Sequence, residues 1–303
     1  MMNPSPKITN PCQRLGIGTV QFGLEYGIAN TSGQVPAIEA AKILDFARSN
    51  GTKTLDTAIG YGSSEATLGQ IGVNHFDVVT KIPPYPDNIK NPQSWIQTQI
   101  EGSLHRLQLS SLHAVMFHRA SDLLLPDGNK LHQALIDMRE AGKIRKIGVS
   151  IYSPEDLDAL WERYAFDIVQ APFNLIDRRL YNSGWLSRLK DQDVEIHTRS
   201  AFLQGLLLMP LEEIPAIFNR WSDVFAKWHH WLSDHNLSAI AACLNYPLSL
   251  SEIDRVIVGT DSLAQWQANT NAVQSYHHDQ FPDINCDDSL LINPALWNTL
   301  NTV

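Results

Sequence analysis

Eight short apolar runs, each separated from the next by a longer stretch of helical period, constrain this chain more than any other feature. The runs fall at residues 14–20, 52–58, 76–82, 112–118, 146–151, 167–173, 195–202 and 255–260. Between the first two, residues 37–50 put Ile38, Ala41, Leu44, Ala47 and Arg48 at steps of three and four, and Gly51 supplies a C-cap. Segments 92–107 and 131–141 follow the same scheme, the second closed by Gly142. Ser153-Pro154-Glu155-Asp156 is an N-cap with proline at the first helical position. Segments 178–190, 225–234, 238–244 and 262–276 complete the helices. Strands that alternate with helices pair in parallel through crossover connections. Eight evenly spaced units predict an α/β fold of the closed (β/α)8 TIM-barrel type, a single domain over residues 14–276. Residues 1–13 form an N-terminal arm and residues 277–303 a C-terminal tail packed on the barrel, with residues 205–221 inserted after the seventh strand.

Composition excludes several classes. With 44% hydrophobic and only 18% charged residues, the 303-residue chain does not have the makeup of a disordered protein. A net charge of −9 with no basic cluster argues against a nucleic acid partner. Cys12, Cys243 and Cys286 are odd in number and far apart, which fits a reducing, cytoplasmic setting without a disulfide framework. The N-terminus holds three prolines before residue 12 and does not read as a signal peptide. The longest apolar stretches, 201–209 and 237–244, are too short to span a membrane.

In a barrel of this kind, chemistry sits on the loops after the strand C-termini. The second run leads through Asp56 to Tyr61, the third carries Lys81, and the fourth ends in His118. A phenol with a pKa near 10 is a poor acid at neutral pH. A buried lysine beside it would lower that value, and an aspartate would keep the lysine charged and oriented. A histidine would polarise a substrate oxygen or position the phenol. Each residue alone has an ordinary reading: a packing tyrosine, a snorkelling lysine, a core histidine, a turn-capping aspartate. Together at three neighbouring strand ends they form a device for delivering a proton to a carbonyl that takes a hydride from elsewhere.

These residues lie in strings that resemble the aldo-keto reductase superfamily, in particular its bacterial members with short loops. The strings are LGIGT (15–19), TLDTAIGYGSSEATLG (54–69), VVTK (78–81), SLHRLQLSSLHAVMFH (103–118), GKIRKIGVS (142–150), QAPFN (170–174), RSAFLQGLL (199–207) and VIVGTDSLAQWQAN (256–269), and the resemblance runs over residues 15–276. The resemblance implies a (β/α)8 barrel that binds NADPH or NADH without a Rossmann domain. It implies Tyr61 as general acid/base, Lys81 as its partner, Asp56 paired with Lys81, and His118 orienting the carbonyl. Gly18, Thr19 and Val20 would run along the nicotinamide ribose, and Ser150 and Gln170 would hold the carboxamide. Ser200, Phe202 and Gly205 would line the pyrophosphate, and Gly259, Thr260, Asp261, Ser262, Gln265 and Asn269 the adenosine.

Three positions depart from the family pattern. Ile151 stands where an asparagine usually follows the fifth-strand serine, so one carboxamide hydrogen bond is lost or replaced. Arg199 stands where an aromatic ring usually stacks on the nicotinamide. A guanidinium plane also stacks, but it repels an oxidised, positive ring, so the reduced cofactor should bind more tightly unless a carboxylate neutralises Arg199. Gly259 and Gln265, with Asp261 nearby, replace the basic residues that hold a 2′-phosphate, which leans toward NADH or dual use; Arg255 or the 205–221 insertion would be the remaining sources of charge.

Other signals carry less. Gly16-x-Gly18 lacks the third glycine of a dinucleotide fingerprint. His229-His230 and His277-His278 lack partners at zinc spacing, so no metal site is expected. Trp221, Trp228 and Trp231 with Phe218 and Phe225 read as core, and as a dimer face second. Substrate contacts are expected from Gln21, Phe22, Tyr26 and Arg119, a mixture that suits a sugar-like or polar carbonyl, with Arg119 open to a substrate carboxylate. The expected function is reduction of an aldehyde or ketone, or the reverse, with a nicotinamide cofactor, in a monomer or weak homo-oligomer. The alternatives are a non-catalytic family member that acts as sensor or subunit, and a barrel lyase or hydrolase, for which the chain offers neither metal cluster nor carboxylate pair.

Overall fold

All eight expected strands form, and they close on themselves. In the computed structural model, which describes residues 10–28, 30, 32–275 and 280–302, the strands are β1 (Leu15–Gly18), β2 (Thr54–Asp56), β3 (Asp77–Ile82), β4 (Leu112–Phe117), β5 (Ile144–Ser150), β6 (Ile168–Pro172), β7 (Glu195–Arg199) and β8 (Arg255–Gly259). Each pairs in parallel with its sequence neighbour, and β1 pairs with β8 to close the barrel. Closure leaves no strand edge to protect.

The helices are α1 (Ala37–Ser49), α2 (Ser64–Ile71), α3 (Pro92–Leu107), α4 (Gly128–Glu140), α5 (Pro154–Leu160), α6 (Arg179–Asn182), α7 (Trp185–Asp191), α8 (Ser222–His235), α9 (Ala239–Ser249), α10 (Leu263–Gln274) and α11 (Ser289–Ile292). Local chemistry sets their starts. Asn91 accepts from Ser94 N ahead of Pro92, and Ser262 accepts from Gln265 N at the head of α10. Ser153 and Asp156 form a capping box on α5.

Several boundaries differ from the periodicity reading. The single helix expected over 178–190 is two, α6 and α7, broken where Gly184 takes φ +80°. Helix α2 is eight residues long and contains Gly69, too short to display a period. On α1 the buried face is Ala40, Ile43, Leu44 and Ala47, whereas Ile38 points outward with 73% exposure. Strand β7 ends at Arg199, not Phe202, because Ser200 takes φ +65°, outside the strand region.

The main core fills the space between strands and helices. A second, small cluster of Val79, Ala114, Met116 and Ile168 plugs the barrel interior. At the opposite end from the strand C-termini, Glu195 receives Lys146, His113 and His197. The described part of the tail packs on the post-β7 insertion: Trp297 meets Phe218 edge-on at 4.9 Å, and Asp288 accepts from Arg220 and Trp221. The aromatic residues Phe218, Trp221, Phe225 and Trp228 are core. His277 and His278 lie outside the described residues; His230 pairs with Asp234, and no group of three ligating side chains occurs among the described residues.

Candidate active site

Strand alternation brings the polar residues to one place. Side chains two apart share a face, so the face of Val79, Met116 and Ile168 that plugs the barrel continues upward as Lys81, His118 and Gln170. Register aligns Asp56 with Gly18 on one side and Val79 on the other. At these strand ends opens a cavity of ≈ 640 Å³.

Asp56 is the hub of the site. Its Oδ1 accepts from Lys81 Nζ at 2.5 Å and its Oδ2 from Gln170 Nε2 at 2.7 Å. Lys81 also donates to Thr57 O at 2.9 Å and is 1% exposed. Its ammonium lies 5.3 Å from the centroid of the Tyr61 ring, which meets His118 edge-on at 5.8 Å. Tyr61 is held by a turn: a Cβ at Gly23 would lie 1.9 Å from Tyr61 O, so only glycine lets the two loops touch.

The electrostatics differ in one respect from the sequence reading. Burial, and then Asp56, push the Tyr61 phenol above its ordinary value; the cation that pulls it down is Arg199. Lys81 is itself lowered by burial and its charge is offset by Asp56. Burial, followed by the neighbouring Lys81, lowers His118 to about 4, so its imidazole is neutral at pH 7. The four residues therefore present a protonated phenol and a neutral imidazole to the cavity.

Gly18, Thr19, Val20, Gln21 and Tyr26 from the β1 end line the cavity, with Gln170, Arg199, Ser200, Phe202 and Gly205 from β6 and β7, and Gly259, Asp261, Gln265 and Asn269 from β8 and α10. Residues 200–205 are strained: Ser200, Leu203, Gln204 and Gly205 all take positive φ. Such left-handed turns aim backbone N–H groups into anion-binding concavities. Gln170 Oε1 and Gln21 Oε1 are buried on this lining without a partner. Gln265 is partly committed to its own loop, accepting from Asp261 N at 2.8 Å. Asp261, raised by burial, also accepts from Asn30.

Arg199 is anchored on three groups. It donates to Ile151 O at 3.1 Å and Ser200 Oγ at 3.3 Å, and its guanidinium lies 4.7 Å over the Tyr152 ring. None of these partners is a carboxylate. The Ile151 side chain is in the core.

Four expected residues sit behind the lining: Lys81, Ser150, Thr260 and Ser262, the last two spent on capping and on the β8 loop. Two are not brought to the cavity. Phe22 is fully buried, because the 3-10 turn that follows β1 rotates its ring into the core. Arg119 turns back to Asp122 at 2.5 Å and to Tyr85 O at 3.2 Å. Tyr152, Gln204, Asn30 and Ile240 line the cavity and were not singled out from sequence. Gln204 bridges to the Tyr26 hydroxyl at 3.2 Å, across loops 178 residues apart, a contact no local pattern announces.

A family model described as "Aldo/keto reductase family" matches residues 14–285. Aldo-keto reductase YhdN of Bacillus subtilis is 29% identical over 213 residues, 66% of this chain and 61% of that protein. The 6-dehydroglucose reductase of Novosphingobium aromaticivorans is 29% identical over 146 residues, 43% of this chain and 46% of that one. The matches thus span less than two thirds of either relative's length. Among solved structures, aldo-keto reductase AKR11C1 from Bacillus halodurans superposes with a TM-score of 0.70 at 20% identity, covering 88% of each chain.

Proposed function

The chain belongs to the aldo/keto reductase family, and from that premise we propose that it is a nicotinamide-dependent oxidoreductase that interconverts an aldehyde or ketone and the alcohol. The observation that carries this reading is the convergence of Tyr61, His118 and the Asp56–Lys81 pair at one end of the same cavity. Residues of this chain fit the cofactor. Gln170 spends its N–H₂ on Asp56 and keeps Oε1 free of partners, ready to accept from a carboxamide amide group. The strained turn at 200–205 suits a pyrophosphate. When bound, the dinucleotide would supply or take up the hydride.

The chain's own residues handle the proton. Tyr61 Oη donates to the carbonyl oxygen as its carbon becomes tetrahedral; the phenol O–H bond breaks, the alcohol O–H forms, and solvent reprotonates the phenolate. Neutral His118 offers an N–H to the same oxygen, so it orients the carbonyl without bringing a second positive charge. Asp56 holds Lys81 beneath the ring, where the ammonium steadies the phenolate as it forms.

Asp261 is the carboxylate at the β8 loop, and among the described residues no lysine or arginine lines that part of the cavity. This supports NADH or dual use over strict NADPH dependence, since a 2′-phosphate would find no cationic partner. Tyr26, Gln21 and Tyr152 around the opening suit a polar, sugar-like carbonyl, in line with the relative named for 6-dehydroglucose. No described helix is long and apolar enough to cross a membrane; a cytoplasmic monomer or weak homo-oligomer is the setting we favour.

The test is Tyr61→Phe assayed on a panel of aldehydes and keto sugars. Turnover should fall by at least ~10²-fold while dinucleotide binding persists. Undiminished turnover would remove Tyr61 from the mechanism. Binding without turnover in the unaltered chain on any carbonyl would favour a sensor or subunit instead.

A further inference from the structure

The charges that line the cavity are few. Asp56 is neutralised by Lys81 at 2.5 Å, and His118 is neutral at pH 7. Asp261 lies on the β8 loop, where its carboxylate accepts from Asn30 and its N–H donates to Gln265. Arg199 is different. Its guanidinium is tied to Ile151 O, Ser200 Oγ and the Tyr152 ring, all uncharged. Among the described residues, the reacting end of the cavity therefore carries one uncompensated positive charge, fixed by two loops.

We propose that Arg199 selects the reduced nicotinamide over the oxidised one and so biases the site toward carbonyl reduction. The inference rests on the function proposed above and adds a direction to it. Hydride transfer requires the nicotinamide to lie against the carbonyl carbon whose oxygen faces Tyr61. Arg199 lines the same cavity as Tyr61 and His118, beside Tyr152, and its charge lowers both groups. The reduced ring is neutral and the oxidised ring carries +1, so only the oxidised form meets like-charge repulsion. Two unit charges ~6 Å apart at an effective dielectric of ~40, between surface protein and water, differ in affinity by roughly tenfold. The cation–ring contact with Tyr152 does not cancel this, because an aromatic face carries no net charge. The bias acts at each end of a reductive cycle: the reduced dinucleotide is retained and the oxidised one is expelled.

The experiment is calorimetric titration of the full-length protein with NADH, NAD+, NADPH and NADP+. The reduced member of whichever pair binds should be tighter by roughly tenfold or more. In Arg199→Gln that ratio should collapse, chiefly through tighter binding of the oxidised form. In Arg199→Lys, which keeps the charge and loses the planar fork, the ratio should persist. Equal affinities in the unaltered protein overturn the proposal, as does an undiminished ratio in Arg199→Gln or a ratio lost in both variants. An undiminished ratio with a raised KM for carboxylate-bearing aldehydes in Arg199→Gln would assign the guanidinium to the substrate. If none of the four dinucleotides binds, the function proposed above fails first, and this inference with it.

Discussion

Replacing Lys81 by Met should separate the structural from the chemical role of the buried pair. Lys81 and Asp56 have side chains only 1% and 6% exposed and meet at 2.5 Å. Methionine is close in volume, so no large cavity forms, but the Asp56 carboxylate keeps only the Gln170 hydrogen bond at 2.7 Å. Removing one member of a buried pair costs about 3–5 kcal/mol because the other charge is stranded. The surviving Gln170 contact places the expected loss near the lower end, about 3 kcal/mol, or roughly 6 °C in Tm for a chain of this size. Turnover should fall by at least ~10²-fold, since the cation beneath the Tyr61 ring is gone. Adding Asp56→Asn to Lys81→Met removes the stranded charge while an amide oxygen still accepts from Gln170. The double variant should regain about 2 kcal/mol and none of the activity. Thermal and urea unfolding at pH 7, run beside single-turnover kinetics, read the two effects separately. A double variant no more stable than Lys81→Met would refute the coupling, and one that turns over normally would refute the chemical role.

Four further outcomes are expected. His118 is lowered to about 4 from an unfolded value near 6.5, so between those values the unfolded chain binds a proton that the native one does not. Its contribution is therefore intact above pH 6.5 and lost as pH falls toward 4, by up to about 3 kcal/mol; the stability difference between the unaltered chain and His118→Gln should shrink over that window, and a pH-independent difference would contradict it. A Cβ at Gly69 would sit 2.0 Å from Arg106 O, so Gly69→Ala should force α2 from α3 and cost about 3 kcal/mol in urea unfolding; unchanged stability would disprove that close approach. Arg199→Gln should narrow the preference for reduced cofactor, as set out above, and Tyr61→Phe should remove turnover with binding intact.

The barrel was legible because its signals are local. Each strand is a short apolar or β-branched run, and each main helix shows its period within a dozen positions. Where local signals were weak the reading slipped: α2 is too short to show a period, and Ile38 fitted the spacing but faces solvent. The Asp56, Tyr61, Lys81 and His118 set was legible because barrel topology sends all strand C-termini to one face. Register then did what alternation implies, carrying Lys81, His118 and Gln170 upward from the plug of Val79, Met116 and Ile168. Phe22 and Arg119 are not brought to the cavity because a 3-10 turn and the Asp122 carboxylate orient them elsewhere, and neither influence is visible in residue type.

The amino-acid sequence by itself determined the number of strands, their parallel order and the family's signature residues, since periodicity and motif act over neighbouring positions. Tertiary structure alone decided which charges are paid off and which are left over. Lys81 and Gln170 come to Asp56 from 25 and 114 residues away, and Arg199 reaches Ile151 across 48 residues without meeting a carboxylate. Net charge at a site depends on what long-range packing puts within a few ångströms, because Coulomb energies fall with distance and burial removes the water that would screen them.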